Sequence, residues 1–180
     1  LMSQFPTEEL KASFKKYREE WYRRGKELDF GDIPLSVTVE LVSTCNLACT
    51  MCYTITEKFQ NSVIGAQRMM PWPTVKAIID ECAELGVPSM LFSWRGESTL
   101  YRFKEKDGNI IRFSDVLAYA RKAGILEITC LTHGQLLTGE LAEDVVKAQP
   151  NWLNFSIDGT EKAYNQIRTP PNKRGTEYDA

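Results

Sequence analysis

Apolar positions along this chain follow two alternating periods. Leu10, Phe14, Tyr17 and Trp21 recur at i, i+4, i+7 and i+11, one stripe of a 3.6-residue helix. The pattern predicts an amphipathic helix over residues 7–24, packed as a lid on the rest. Thr7 is its N-cap, Glu8 and Glu9 sit where the helix dipole favours carboxylates, and Gly25 is its stop. Residues 35–42 switch to β-branched, partly alternating character and predict a strand. Further strands are expected over residues 89–93, 126–131 and 152–157, each preceded by a helix. The first of these helices, residues 74–85, carries Val75, Ile78, Ile79, Cys82 and Leu85 on one face and ends at Gly86. The second, 114–123, is capped by Ser114 and closed by Gly124; the third opens at Thr138 and is stopped by Pro150. A short helix over 161–168 follows the last strand.

Two segments break the alternation. Residues 53–72 predict a long loop without structure of its own, a length that is usually functional or disordered. Residues 103–112 centre on Asp107-Gly108, a hairpin turn. Strands alternating with helices predict an α/β fold: a partial (β/α) barrel of about four parallel strands, preceded by the N-terminal amphipathic helix. Residues 1–34 read as helix and linker, and 35–180 as the core domain. The last residues, 175–180, read as the start of a further helix, so a fragment of a longer chain is expected.

Composition narrows the function classes. With 180 residues, 43% hydrophobic and 26% charged, the chain can enclose one core. A net charge of −2 gives no pull toward nucleic acid or an anionic membrane. The basic residues within 11–24 interleave with Glu19 and Glu20, as on a solvated helix face. No apolar run approaches the roughly 20 residues of a membrane span, and the first residues show no secretory pattern. The expectation is a cytoplasmic protein without nucleic-acid or membrane partners.

The chemistry concentrates directly after the first strand. Cys45, Cys49 and Cys52 stand in a C-x3-C-x2-C spacing, three of the five cysteines in the chain. Soft thiolates suit iron–sulfur or zinc chemistry. Three ligands without a nearby histidine leave one metal position open, whereas a structural site normally has four protein ligands. A zinc loop completed by a distant ligand is the alternative. Cys82 and Cys130 read as core thiols. Gly96-Glu97, Thr132-His133-Gly134 and Ser156-Ile157-Asp158-Gly159 follow the other three strands, at the strand ends where α/β proteins place their sites. His133 could serve as an acid–base group or as a structural hydrogen bonder. Arg95 could meet an anionic substrate group or pair with a nearby carboxylate.

Taken in register, these four places resemble the radical S-adenosylmethionine (radical SAM) enzymes, in the branch of molybdenum-cofactor-type cyclases and maturases with a cysteine-rich C-terminal extension. The resemblance covers roughly residues 35–168 and implies that Cys45, Cys49 and Cys52 hold a four-iron, four-sulfur (4Fe-4S) cluster. It implies that Gly96-Glu97 matches a Gly-Gly-Glu-Pro loop that binds the methionyl ammonium of SAM, with Arg95 and Ser98 as departures. Met51 would offer its backbone to the adenine. Thr132 stands in a Thr-Asn-Gly-like turn in which His133 is the departure. Ser156 would contact ribose or carboxylate, with Asp158 beside it or capping the next helix. The implied reaction is reductive cleavage of SAM to a 5′-deoxyadenosyl radical that takes hydrogen from a substrate. That substrate could be a peptide, a sugar or a small metabolite, and the reductant a flavodoxin or ferredoxin. A non-catalytic electron-transfer or zinc-stabilised module is the competing reading.

Overall fold

The computed structural model describes residues 4–62 and 68–168. Its first element, α1 (Glu8–Glu27), begins as expected, with Thr7 Oγ1 accepting the Leu10 N–H at 3.2 Å. It does not stop at Gly25. Arg23 and Arg24 both pair with Glu20, and Arg23 reaches on to Glu27 and Asp29, so the last turn is held by charge. The helix ends instead at Leu28, in the left-handed region at φ 53°.

The chain then forms β1 (Ser36–Thr38), α2 (Glu57–Ser62), α3 (Trp72–Glu84), β2 (Ser89–Leu91) and a hairpin of β3 (Arg102–Lys104) and β4 (Ile110–Arg112). After it come α4 (Phe113–Ala123), β5 (Glu127–Thr132), α5 (Gly139–Ala148), β6 (Trp152–Phe155) and α6 (Glu161–Ile167). The four parallel strands lie in the order β1-β2-β5-β6, with Ser36 opposite Ser89, Met90 opposite Ile128 and Cys130 opposite Leu153. This is the expected α/β partial barrel, and the hairpin sits where Asp107-Gly108 placed it.

Several boundaries move for identifiable reasons. The first strand keeps only three of its expected residues in the parallel sheet. Beyond it the returning chain takes over: Val42 bridges Met69 antiparallel, and the Met70 N–H donates to the Leu41 carbonyl at 2.9 Å. The expected loop over 53–72 contains a 3-10 turn, Tyr53–Ile55, and then α2, because Phe59 buries its ring edge-on to Tyr53. Residues 63–67 of that segment lie outside the described residues. Helix α3 starts two residues early, at Trp72 with Pro71 as its N-cap, since Pro73 in the first turn costs no hydrogen bond. Helix α4 is capped by Arg112, whose N–H donates to Asp115 Oδ2 at 2.7 Å, and not by Ser114.

The core lies between the sheet and helices α3, α4 and α5, around fully buried Ile79, Met90, Phe92, Leu117 and Ile128. Cys82 and Cys130 belong to it, as their apolar neighbours predict. A second cluster of Phe5, Phe14 and Tyr17 packs α1 against Leu35 and Leu126, leaving Trp21 half-exposed. Tyr17 also donates to Glu127 Oε2 at 2.8 Å, and Ser89 and Trp152 donate to the same carboxylate. Glu127, Ser89 and Trp152 are the first residues of their strands, so α1 stoppers the amino end of the sheet. No described helix is long and apolar enough to cross a membrane.

Candidate functional site

With its amino end closed, the sheet presents chemistry at the carboxyl ends of its strands. A cleft of about 290 Å³ opens there, lined by Cys45, Cys49 and Cys52 after β1, Glu97 after β2, Thr132 at the end of β5 and Ser156 after β6. Sulfurs from one loop thus meet polar groups from three others.

Gly96 makes that meeting possible. Its φ is 65°, and a Cβ there would stand 2.6 Å from the Thr44 carbonyl oxygen and 2.9 Å from the Thr44 nitrogen. Only a residue without a side chain lets the two loops touch. The Glu97 N–H then donates to the Thr44 carbonyl at 2.9 Å, joining the glutamate's backbone to the cysteine loop.

The Glu97 carboxylate is 2% exposed and held by neutral donors. Oε1 accepts from the Thr99 N–H at 3.2 Å and from the hydroxyls of Thr99 and Thr132, both at 2.6 Å. Oε2 accepts the His133 N–H at 3.0 Å. Such bonds hold a buried carboxylate in place without cancelling its charge. His133 Nδ1 accepts the Gln135 N–H at 3.1 Å, which assigns the ring proton to Nε2. Nε2 then donates to Asn46 Oδ1 at 2.8 Å and lies 3.3 Å from Glu97 Oε2. Burial keeps this imidazole below its ordinary pKa. His133 is therefore a neutral crosslink between the turn after β5 and the cysteine loop.

The cysteines themselves are free thiols. Burial pushes Cys45 up to about 11, with Glu97 and the other two thiols adding to the rise. Cys49 is raised by burial too, against the pull of Arg168. Among the described residues, no three His, Cys, Asp or Glu side chains converge to hold a single metal ion. The donor set is soft, unpaired by disulfides and gathered in one cleft, so the residues present fit an iron–sulfur group.

Met51 and Gly96 also border the cleft. Asp158 does not; it pairs with Arg168, while Thr160 takes the N-cap position of α6. Arg95 turns away from the cleft as well. Its Nε donates to Glu40 Oε2 at 2.5 Å and its guanidinium lies 5.2 Å from the Phe59 ring centre. Sequence reasoning missed Thr99, Asn46 and Arg168. Asn46 and Arg168 meet His133 and Cys49 from other loops, so no spacing within the chain signals them, and Thr99 bonds Glu97 only two residues before it.

Comparison with known proteins decides the family. Residues 39–179 match the Radical SAM superfamily. The chain belongs to that superfamily. This radical SAM chain is 29% identical over 132 residues to the Fe-coproporphyrin III synthase of Methanosarcina barkeri, covering 73% of the chain and 29% of the relative. It is 34% identical over 149 residues to the serine-type anaerobic sulfatase-maturating enzyme of Bacteroides thetaiotaomicron, covering 79% of the chain and 33% of the relative. Thus the radical SAM chain spans about a third of the length of these relatives. Among solved structures it resembles Streptococcus suis SuiB bound to precursor peptide SuiA, with TM-score 0.59, 17% identity, and coverage of 92% of this chain and 32% of that one. Native anSMEcpe with bound AdoMet gives TM-score 0.56 at 19% identity, covering 77% of this chain and 36% of that one. These likenesses establish the radical SAM fold.

Proposed function

We propose that this chain is the SAM-cleaving portion of a radical SAM enzyme, with Cys45, Cys49 and Cys52 holding a 4Fe-4S cluster. The observation that carries the reading is the single cleft in which three free thiols face the buried Glu97 carboxylate. When bound, the cluster supplies the electron that cleaves SAM to methionine and a 5′-deoxyadenosyl radical, which takes hydrogen from the substrate.

The protein's own part is orientation. Glu97 Oε1 is saturated by its three donors, so Oε2 is the oxygen with capacity for the methionyl ammonium. An ammonium there competes with the 3.3 Å approach of His133 Nε2, and His133 keeps Asn46 as its partner. Thr132 fixes the carboxylate from the β5 side. Ser156, tied by its N–H to the Thr132 carbonyl at 2.9 Å, presents its hydroxyl to ribose or carboxylate. Met51, at the rim, offers its backbone to the adenine. A polypeptide substrate is the favoured class, on the identity shared with the sulfatase-maturating enzyme, with a flavodoxin or ferredoxin as electron donor.

The test is anaerobic iron–sulfide reconstitution of the full-length protein, followed by dithionite and SAM. Production of 5′-deoxyadenosine, with about four irons per chain in this portion, is the expected result. A zinc or iron–sulfur site with four protein ligands and no affinity for SAM overturns the reading and leaves a non-catalytic module. A peptide that leaves turnover unchanged while a small metabolite is consumed overturns the substrate class alone.

A further inference from the structure

Arg168 stands at the carboxyl end of α6, with its side chain 13% exposed and on the wall of the thiol cleft. Its Nε donates to Asp158 Oδ2, which comes from the loop after β6. Its Nη1 donates to Cys49 Sγ at 3.8 Å. One residue along on each side, the Thr50 N–H donates to the Ile167 carbonyl at 3.0 Å. Residues 49–50 and 167–168 are therefore joined twice, once through the backbone and once through a cation facing sulfur. Nothing else described in the cleft brings a positive charge to a thiol.

We propose that Arg168, aimed by Asp158, is a positioning residue for the iron–sulfur cluster: it clamps the cysteine loop to α6 and donates to the Cys49 sulfur, raising the cluster's reduction potential. The inference rests on the assignment of Cys45, Cys49 and Cys52 as cluster ligands. Reduction adds negative charge to a cluster, and a nearby cation or a donor to a ligating sulfur stabilises that charge. Asp158 opposes the effect, but the guanidinium stands between the two, with Nε on the carboxylate and Nη1 3.8 Å from the Cys49 sulfur. The motif aspartate after β6 thereby acquires a role of its own, which is to keep an arginine pointed at the cluster loop.

The experiment compares full-length wild type, R168Q and R168K after anaerobic reconstitution, by redox titration followed by electron paramagnetic resonance without SAM. R168Q is expected to lower the midpoint potential by an amount equivalent to about a tenfold change in the reduced-to-oxidised ratio, ~59 mV for a one-electron couple. R168K, which keeps the charge on a smaller and non-planar head, gives a lesser drop in the same direction. Reduced iron loading in R168Q, restored in R168K with an unchanged far-ultraviolet circular dichroism spectrum, supports the clamp. Equal loading with an unchanged potential in both variants overturns the inference, and so does an effect confined to SAM affinity. If wild type itself takes up no cluster, it is the assignment of the cysteines that fails, and that is seen before the arginine is varied.

Discussion

Replacing Gly96 by alanine separates backbone strain from loop contact. Two glycines of similar conformation make the comparison: Gly96 at φ 65° and Gly86 at φ 77°. An added Cβ at Gly86 has nothing within 4 Å, whereas at Gly96 it runs into the carbonyl oxygens of Val42 and Thr44. Both substitutions therefore incur the left-handed penalty of roughly 1–2 kcal/mol. Only Gly96→Ala adds the overpacking term, about 1–3 kcal/mol for atoms that cannot move aside. The obstruction is backbone on the loop that leads into Cys45, so relief requires the two loops to part. Parting them breaks the bond from the Glu97 N–H to the Thr44 carbonyl and shifts the carboxylate relative to the thiols. Urea unfolding of both variants gives the stability difference, and equilibrium dialysis of the reconstituted protein gives SAM affinity. Gly96→Ala is expected to be the less stable by about 1–3 kcal/mol and to lose SAM binding, with Gly86→Ala retaining it. Equal losses of stability, or SAM affinity intact in Gly96→Ala, refute the claim that the glycine exists to let the loops touch.

Other outcomes follow from the same geometry. Glu97→Gln puts an NH2 among donors and destabilises the fold by about 1–3 kcal/mol, while abolishing SAM binding; near-native SAM affinity by calorimetry defeats the ammonium assignment. Arg95→Ala loses the ion pair to Glu40 and the stacking on Phe59, at a cost of about 1–2 kcal/mol in thermal or urea unfolding. It leaves SAM cleavage unchanged if the arginine is a latch, whereas a substrate-dependent loss of turnover at unchanged stability makes it a substrate contact. Burial pushes Cys130 up from 9.0 to about 12 and Tyr101 from 10.0 to about 12. Groups raised on folding stabilise fully below their unfolded values and cease to do so as pH rises through the folded ones. Metal-free protein should thus lose stability between about pH 9 and pH 12. Cys130→Ala should flatten that loss, and an unchanged pH slope in urea titrations speaks against the buried thiol as its source.

The order of elements was legible because strand and helix periods alternate cleanly, and the turn glycines and caps punctuate them. What the periods could not show was competition between partners. Gly25 looks like a helix stop until Arg23 and Arg24 are seen gripping carboxylates on either side of it. The strand expected over 35–42 leaves the sheet because Val42 finds Met69 instead. Helix α2 depends on Phe59 finding the Tyr53 ring, and nothing in its own short sequence demands that. At the site, the cysteine spacing announced soft-metal chemistry unaided, whereas Glu97, Thr132 and Ser156 gained meaning only through family resemblance. Arg168 escaped both routes, since its significance lies in facing a sulfur 119 positions away.

The stopper formed by α1 also has a consequence in time. Tyr17 reaches Glu127 across 110 positions of chain, and Trp152, which shares that carboxylate, is made later still. On a ribosome the helix emerges well before its seat, which does not exist until β5 and β6 have been synthesised. Its aromatic stripe must wait uncovered until then, so a helix made before the sheet docks only after it.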